Sequence, residues 1–229
     1  MTQQQEFRFR TRLIRATATP VDHLHGNVLR LRVEPSLMQR LVRSVVGMLP
    51  SVVRRWVETR FPEWTLPDRL VLKRQKKGWA REFNTERAAY ERLRPLQGVV
   101  IPRYFGEVRY RNRRTMVLED IGGESLATPA GMLVKLDEFR RLLFQALNAF
   151  APFRLLHSDT KLDNFHLTGG RIMVVDLERV GKGSFANKCR ASIFLQGKVD
   201  YLSSWYRELQ HYYWKRGLIA VEDGWRICM

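Results

Sequence analysis

Apolar and polar residues alternate at the start of the chain, the period-two pattern of a half-buried strand. Between Glu6 and Thr19, Phe7, Phe9, Thr11 and Leu13 share one parity while arginines crowd the other, which predicts a strand. The turn-prone stretch Pro20–Asn27 leads into Val28–Val33, so the two strands read as a hairpin, and Arg69–Lys73 is a third strand. From Ser36 to Leu66 the period changes. Leu37, Leu41, Val45 and Val46, then Val52, Val53, Trp56 and Val57, recur at helical spacing with arginines between or opposite them, and Pro50 breaks the helix in two. A basic amphipathic pair suits a membrane surface or a partner. Packing of the apolar stripe onto the domain is the commoner use, and it is the expectation here.

Further along, Trp79–Leu93 is helical, with Phe83, Ala89, Tyr90 and Leu93 available for one face and Pro95 as the stop. Tyr104–Val108 and Thr115–Leu118 flank an arginine-rich turn as a second hairpin, and Gly122-Gly123 interrupts the pattern. Helices follow at Leu136–Phe150 and Lys198–Gly217, the latter with Leu202, Trp205, Tyr206, Leu209 and Tyr213 as its core stripe. Strands come first and helices after. That order predicts an α+β fold in two lobes joined by a short connection near Gly122.

Composition adds limits rather than detail. A chain of 229 residues, 45% hydrophobic and 28% charged, suits a soluble globular protein with a core large enough for one domain or two lobes. No segment approaches the roughly 20 apolar residues of a membrane span, and the first residues lack the apolar centre of a secretory signal. Two cysteines, Cys189 and Cys228, argue against a disulfide framework and for a reducing compartment, cytoplasmic or nuclear. The formal charge of +17 attracts polyanions. Its basic residues are spread along the whole chain and no zinc-finger or RNA-recognition spacing occurs, so nucleic acid is a possible but not a favoured partner. His23 and His25 in the first loop lack further ligands and read as solvent-facing.

The candidate chemistry lies between Leu155 and Asp176. His157, Asp159, Lys161 and Asn164 are followed by Phe165-His166-Leu167, a Thr168-Gly169-Gly170 turn, and Ile172–Val175 ending at Asp176. A hairpin here sets Asn164, where one strand begins, close to Asp176, where its partner ends. An amide oxygen and a carboxylate are hard ligands of the kind Mg²⁺ takes together with phosphate oxygens. Asp159 suits proton acceptance from a hydroxyl nucleophile, and Lys161 suits charge neutralisation on a transferred group. The plain alternative is a polar loop capping a buried hairpin.

His-x-Asp-x-Lys-x-x-Asn followed by an apolar strand and Asp resembles the catalytic loop and metal-binding aspartate of the protein kinase-like superfamily. Val71-Leu72-Lys73 resembles the strand whose lysine holds the α- and β-phosphates, and Glu86 the helix glutamate that pairs with it, with Glu82 and Glu91 as competitors. Met116–Gly123 resembles the gatekeeper and hinge, Leu118 standing as gatekeeper and Glu119 and Ile121 supplying contacts to adenine. The resemblance covers about Phe7 to Val180. It implies a two-lobed fold with an N-lobe over residues 1–118 (helical insertion about 36–66), a hinge at 119–123 and a shortened helical C-lobe over 124–229. It also implies ATP and Mg²⁺, with Asp159 and Lys161 catalytic, Asn164 and Asp176 holding metal, and Lys73, Glu86, Glu119 and Ile121 binding nucleotide. Asp200 is similar to the helix aspartate that holds a kinase's catalytic loop.

Four departures qualify the resemblance. The first hairpin loop carries one glycine, Gly26, in place of a glycine run; Ser158 replaces the usual arginine; Asp176-Leu177-Glu178 replaces Asp-Phe-Gly; and no Ala-Pro-Glu element follows. An acidic third residue is similar to the choline kinase and aminoglycoside phosphotransferase branch. The expected activity is therefore phosphoryl transfer from ATP to a hydroxyl, most simply a protein Ser/Thr acceptor, with a small-molecule kinase or a catalytically impaired pseudokinase acting as a binding module as the alternatives.

Overall fold

A tight turn at Arg10–Thr11, with Arg10 in the left-handed region at φ 52°, divides the first predicted strand in two. In the computed structural model, which describes residues 3–21, 26–183 and 188–220, the parity reverses across that turn. Phe7 and Phe9 of β1 (Gln3–Phe9) point inward, as do Ile14, Ala16 and Ala18 of β2 (Arg12–Pro20), while Leu13 is exposed. The sequence pattern joined residues that a reversal separates. The protein is mixed α+β, and contacts divide it into two compact units, Met1–Ala80 with Arg103–Asp120, and Arg81–Pro102 with Ile121–Met229.

The first unit is a six-stranded antiparallel sheet. β3 (Val28–Val33), β4 (Arg69–Arg74), β5 (Tyr104–Tyr110) and β6 (Arg113–Glu119) complete the order β1-β2-β3-β4-β6-β5. Its curl brings the two edge strands together: Phe7 and Tyr110 meet edge to face at 6.2 Å, and the Tyr110 hydroxyl donates to Gln5 Oε1 at 2.7 Å. Side chains rather than backbone pairing join the two edges. The inward parity of the strands (Phe9, Ile14, Leu31, Leu70, Leu72, Val117) fills the concave side. His23 and His25 lie outside the described residues.

Between β3 and β4 stand α1 (Leu37–Met48), α2 (Ser51–Arg60) and α3 (Pro62–Thr65). Ser36 caps α1 by accepting from the Gln39 N–H at 3.3 Å, and Leu49-Pro50 separates the first two helices. The expected packing of their apolar stripe is not found. Gln39 and Val46 are the buried residues of α1, and Leu37, Leu41, Val45, Met48, Val52 and Trp56 are exposed. Polar anchors hold the insertion instead. Glu63 is buried and accepts from the Thr11 hydroxyl at 3.0 Å, Arg43 binds Asp68 and the Leu66 carbonyl, and the Arg12 guanidinium lies 4.2 Å from the Trp64 ring centre.

The second unit begins with α4 (Ala80–Arg92), whose Phe83, Glu86, Ala89 and Tyr90 are buried. After β6 the chain turns through Gly122 and Gly123, both at positive φ, into β7 (Glu124–Ser125). A Cβ on Gly123 would lie 2.3 Å from the Leu167 carbonyl oxygen, so only glycine lets this turn meet β9 (Phe165–Thr168). α5 (Leu136–Asn148) packs on α6 (Lys188–Lys215), with Phe139 stacked on Tyr206 at 4.0 Å. On α6 the buried line runs through Leu195, Val199, Leu202, Tyr206 and Gln210; Trp205, expected in the core, is half exposed. β8 (Leu155–His157), β10 (Arg171–Val174) and β11 (Val180–Lys182) complete the unit. Among the described residues, no helix is long and apolar enough to cross a membrane.

Candidate functional site

Two strand pairings in the second unit gather the polar residues of the 157–178 segment. β8 pairs with β11, His157 facing Val180, and β9 pairs with β10, Phe165 facing Val174. The first pairing sets Asp159 near Arg179, Nε to Oδ2 being 3.9 Å. The second sets Asn164 beside the end of β10, where the Val175 N–H donates to the Asn164 carbonyl at 3.0 Å.

His157 is the bracket between them. It is buried, with the Phe150 and Phe165 rings 6.3 and 5.6 Å away, and its Nε2 bonds the Asp176 carbonyl at 2.7 Å. Burial, with the Lys198 charge second, lowers its pKa to about 4. At neutral pH the ring is therefore uncharged, with Nε2–H as donor and Nδ1 as acceptor. Lys198 reaches in from α6, donates to the His157 carbonyl and stands 3.4 Å from Nδ1. Burial lowers the Lys198 pKa to about 8, against the opposing pull of the Asp159 charge.

Around Asp159 the loop is closed by short-range bonds. Oδ1 accepts from the Lys161 N–H at 3.1 Å, and the Ser158 hydroxyl and N–H both donate to the Arg179 carbonyl, at 2.8 and 3.0 Å. Asp159 is 14% exposed by side chain, and Lys161 is exposed. A cavity of about 560 Å³ opens beside Thr160, Lys161 and Asp163, with Trp205, Glu208 and Tyr212 of α6 on its other wall.

A second group of polar side chains includes Asp176 itself. One carboxylate oxygen each from Glu86, Asp176 and Glu178 lies within 4.8 Å of the other two. Glu86 is fully buried and accepts from the Leu177 N–H at 3.4 Å, and Asp176 Oδ1 accepts from the Glu178 N–H at 2.9 Å. Burial, and then the Glu86 and Asp176 charges, push the Tyr90 hydroxyl pKa up. Close carboxylate oxygens are hard donors of the kind Mg²⁺ takes, so these three residues fit such an ion.

The sequence-predicted residues divide between the units. Lys73, buried on β4 opposite Val28 and Met116, and Glu119, at the end of β6 where it accepts from the Arg103 N–H at 3.2 Å, belong to the first. Glu86, Ile121, Asp159, Lys161, Asn164 and Asp176 belong to the second, where the Ile121 carbonyl accepts from the Thr168 hydroxyl at 3.2 Å. Residues 81–92 of α4, within the span expected for the N-lobe, are grouped by their contacts with the second unit. Asp200 does not hold the loop after β8: it is half exposed and binds Arg140 and Gln196. Lys198 makes that tether instead. Its signal was present, since a lysine sits among Leu195, Val199 and Leu202 on an otherwise apolar stripe. Arg179 carried no such signal, because only the β8–β11 pairing brings it to Asp159.

No protein-family model matches this chain, and comparison with curated proteins gives no significant match.

Proposed function

We propose that this chain is a phosphotransferase of the protein kinase-like superfamily, two-lobed in fold, which uses ATP and Mg²⁺ to phosphorylate a hydroxyl. The observation that carries the reading is the His157 bond to the Asp176 carbonyl, which ties the loop bearing Asp159 to the turn bearing the carboxylates. In this reading Asp159 orients the acceptor hydroxyl and takes its proton, and Lys161 offsets charge on the transferred group. Asp176 and Asn164 hold Mg²⁺, with Glu178 as a further oxygen; the bound ion supplies charge neutralisation across phosphate oxygens. Lys73 positions the phosphates, Glu86 supports it, and the chain at Glu119 and Ile121 receives adenine. The acceptor enters by the cavity beside Thr160 and Lys161. Most of the rate comes from positioning and charge placement, as phosphoryl transfer requires.

The single glycine of the first hairpin loop favours a second reading, a nucleotide-binding module without turnover. Thermal melting with ATP and Mg²⁺ together, and with each alone, tests both. A rise that needs both components and disappears in Asp176→Asn supports a nucleotide site. Turnover of ATP abolished by Asp159→Asn then supports the enzyme. A rise without turnover in any acceptor mixture leaves the binding module, and no rise at all sinks both.

A further inference from the structure

The insertion wears its amphipathicity inside out. On α1, Leu37 and Met48 are 83% and 85% exposed, and Leu41 and Val45 lie on the same face, while Gln39 and Arg43 turn toward the domain. On α2, Val52 and Trp56 face outward and Glu58 lies toward Arg103 at 4.0 Å. A row of large aliphatic side chains in water is unfavourable, and monomeric proteins rarely keep such patches without use. Arg43, bonded to Asp68 and the Leu66 carbonyl, holds α1 in this orientation, so its apolar face is presented rather than merely left over.

Charge names the occupant. Residues 37–60 carry five arginines against one glutamate, and α1 has no acidic residue at all. A second copy of a chain with formal charge +17 would be repelled. Single aliphatic side chains and a tryptophan projecting from two short helices, flanked by arginines with flexible apolar stems, suit the boundary between lipid headgroups and acyl chains. We propose that α1 and α2 dock this protein on an anionic lipid bilayer surface, the aliphatic row entering the interface and Arg40, Arg54 and Arg55 meeting lipid phosphates and carboxylates. This inference is independent of the phosphotransferase reading.

Co-sedimentation of the full chain with vesicles tests it, using phosphatidylcholine alone and a three-to-one mixture of phosphatidylcholine and phosphatidylserine. Wild type is expected to partition onto the mixed vesicles at least about tenfold more than onto phosphatidylcholine. The double variant Leu41→Glu/Val52→Glu should lose about tenfold or more of that partition with its melting temperature kept, because both positions face water. Arg54→Glu/Arg55→Glu should weaken it as well. Three results would overturn the proposal. Wild type could fail to bind mixed vesicles at low salt. The Leu41→Glu/Val52→Glu variant could bind as wild type does, leaving the diffuse positive field as the cause. Light scattering could show a dimer that this same variant dissociates, making a second copy the occupant.

Discussion

Lys198 donates from α6 to the main-chain carbonyl of His157, and His157 in turn bonds the carbonyl of Asp176. One buried cation thus holds a loop and a strand end that are far apart in sequence. Its charge is costly there: burial lowers the Lys198 pKa from 10.5 to about 8. Between those values the unfolded chain binds more protons than the folded one, so stability rises with pH across that window. Lys198→Met removes the titrating group. Chemical denaturation from pH 7.5 to 10 should show wild type gaining about 1.4 kcal/mol per pH unit relative to the variant once pH passes 8. At pH 7 the variant should exchange the Ser158 amide faster, because the His157 carbonyl has lost its donor.

His157 acts in the same sense at the acid end of the pH profile. Folded, it takes a proton only near pH 4, whereas the unfolded residue does so near 6.5. The folded state therefore binds fewer protons in this window, and stability falls as pH drops from 6.5 toward 4. By pH 5 this one residue should account for a loss of about 2 kcal/mol relative to neutral pH. Denaturant midpoints of wild type and His157→Gln at pH 7, 6 and 5 check this: the gap between them should narrow as the solution is acidified. A gap that stays constant would falsify the assignment of a buried neutral imidazole.

Much of this site can be read from local pattern. Phe165-His166-Leu167, Thr168-Gly169-Gly170 and Ile172–Val174 form the predicted hairpin because a two-glycine turn and apolar strands are local signals, and α4 and α5 follow helical spacing closely. Elsewhere tertiary contacts override periodicity. The β1–β2 turn at Arg10–Thr11 carries no glycine or proline, so the alternation read as continuous. The insertion's stripe has helical spacing, yet its direction on α1 depends on Arg43 finding partners far away in sequence. Asp200 and Lys198 are two residues apart on one helix, and only packing decides which of them faces His157.

The turn after β6 separates two glycine roles. Gly122 and Gly123 both have positive φ, but a Cβ on Gly122 meets open space while one on Gly123 collides with the Leu167 backbone. Gly122→Ala should cost about 1 kcal/mol, the left-handed penalty alone. Gly123→Ala should cost about 3 kcal/mol or more, since the β7–β9 pairing must also shift. Urea denaturation of the two variants measures the difference. Equal losses would mean that β7 yields without cost.

The carboxylate group gives the most discriminating test of metal binding. One oxygen each from Glu86, Asp176 and Glu178 lies within 4.8 Å of the other two, a group of hard donors that suits a divalent cation. Glu86 is fully buried and already engaged by the Leu177 N–H, so its neutralisation should act chiefly on stability. Asp176 and Glu178 are only partly buried, and their neutralisation should act chiefly on the ion. Asp176→Asn should abolish the Mg²⁺-dependent part of the ATP melting shift, and Glu178→Gln should weaken the apparent Mg²⁺ affinity by about tenfold. Glu86→Gln should leave that affinity within about threefold while changing the melting temperature of the unliganded protein. Titration of Mg²⁺ against melting temperature at fixed ATP reads all three. If Glu178→Gln matches wild type and Glu86→Gln abolishes the shift, the ion is held on the α4 side of the cluster and the assignment of Glu178 is wrong.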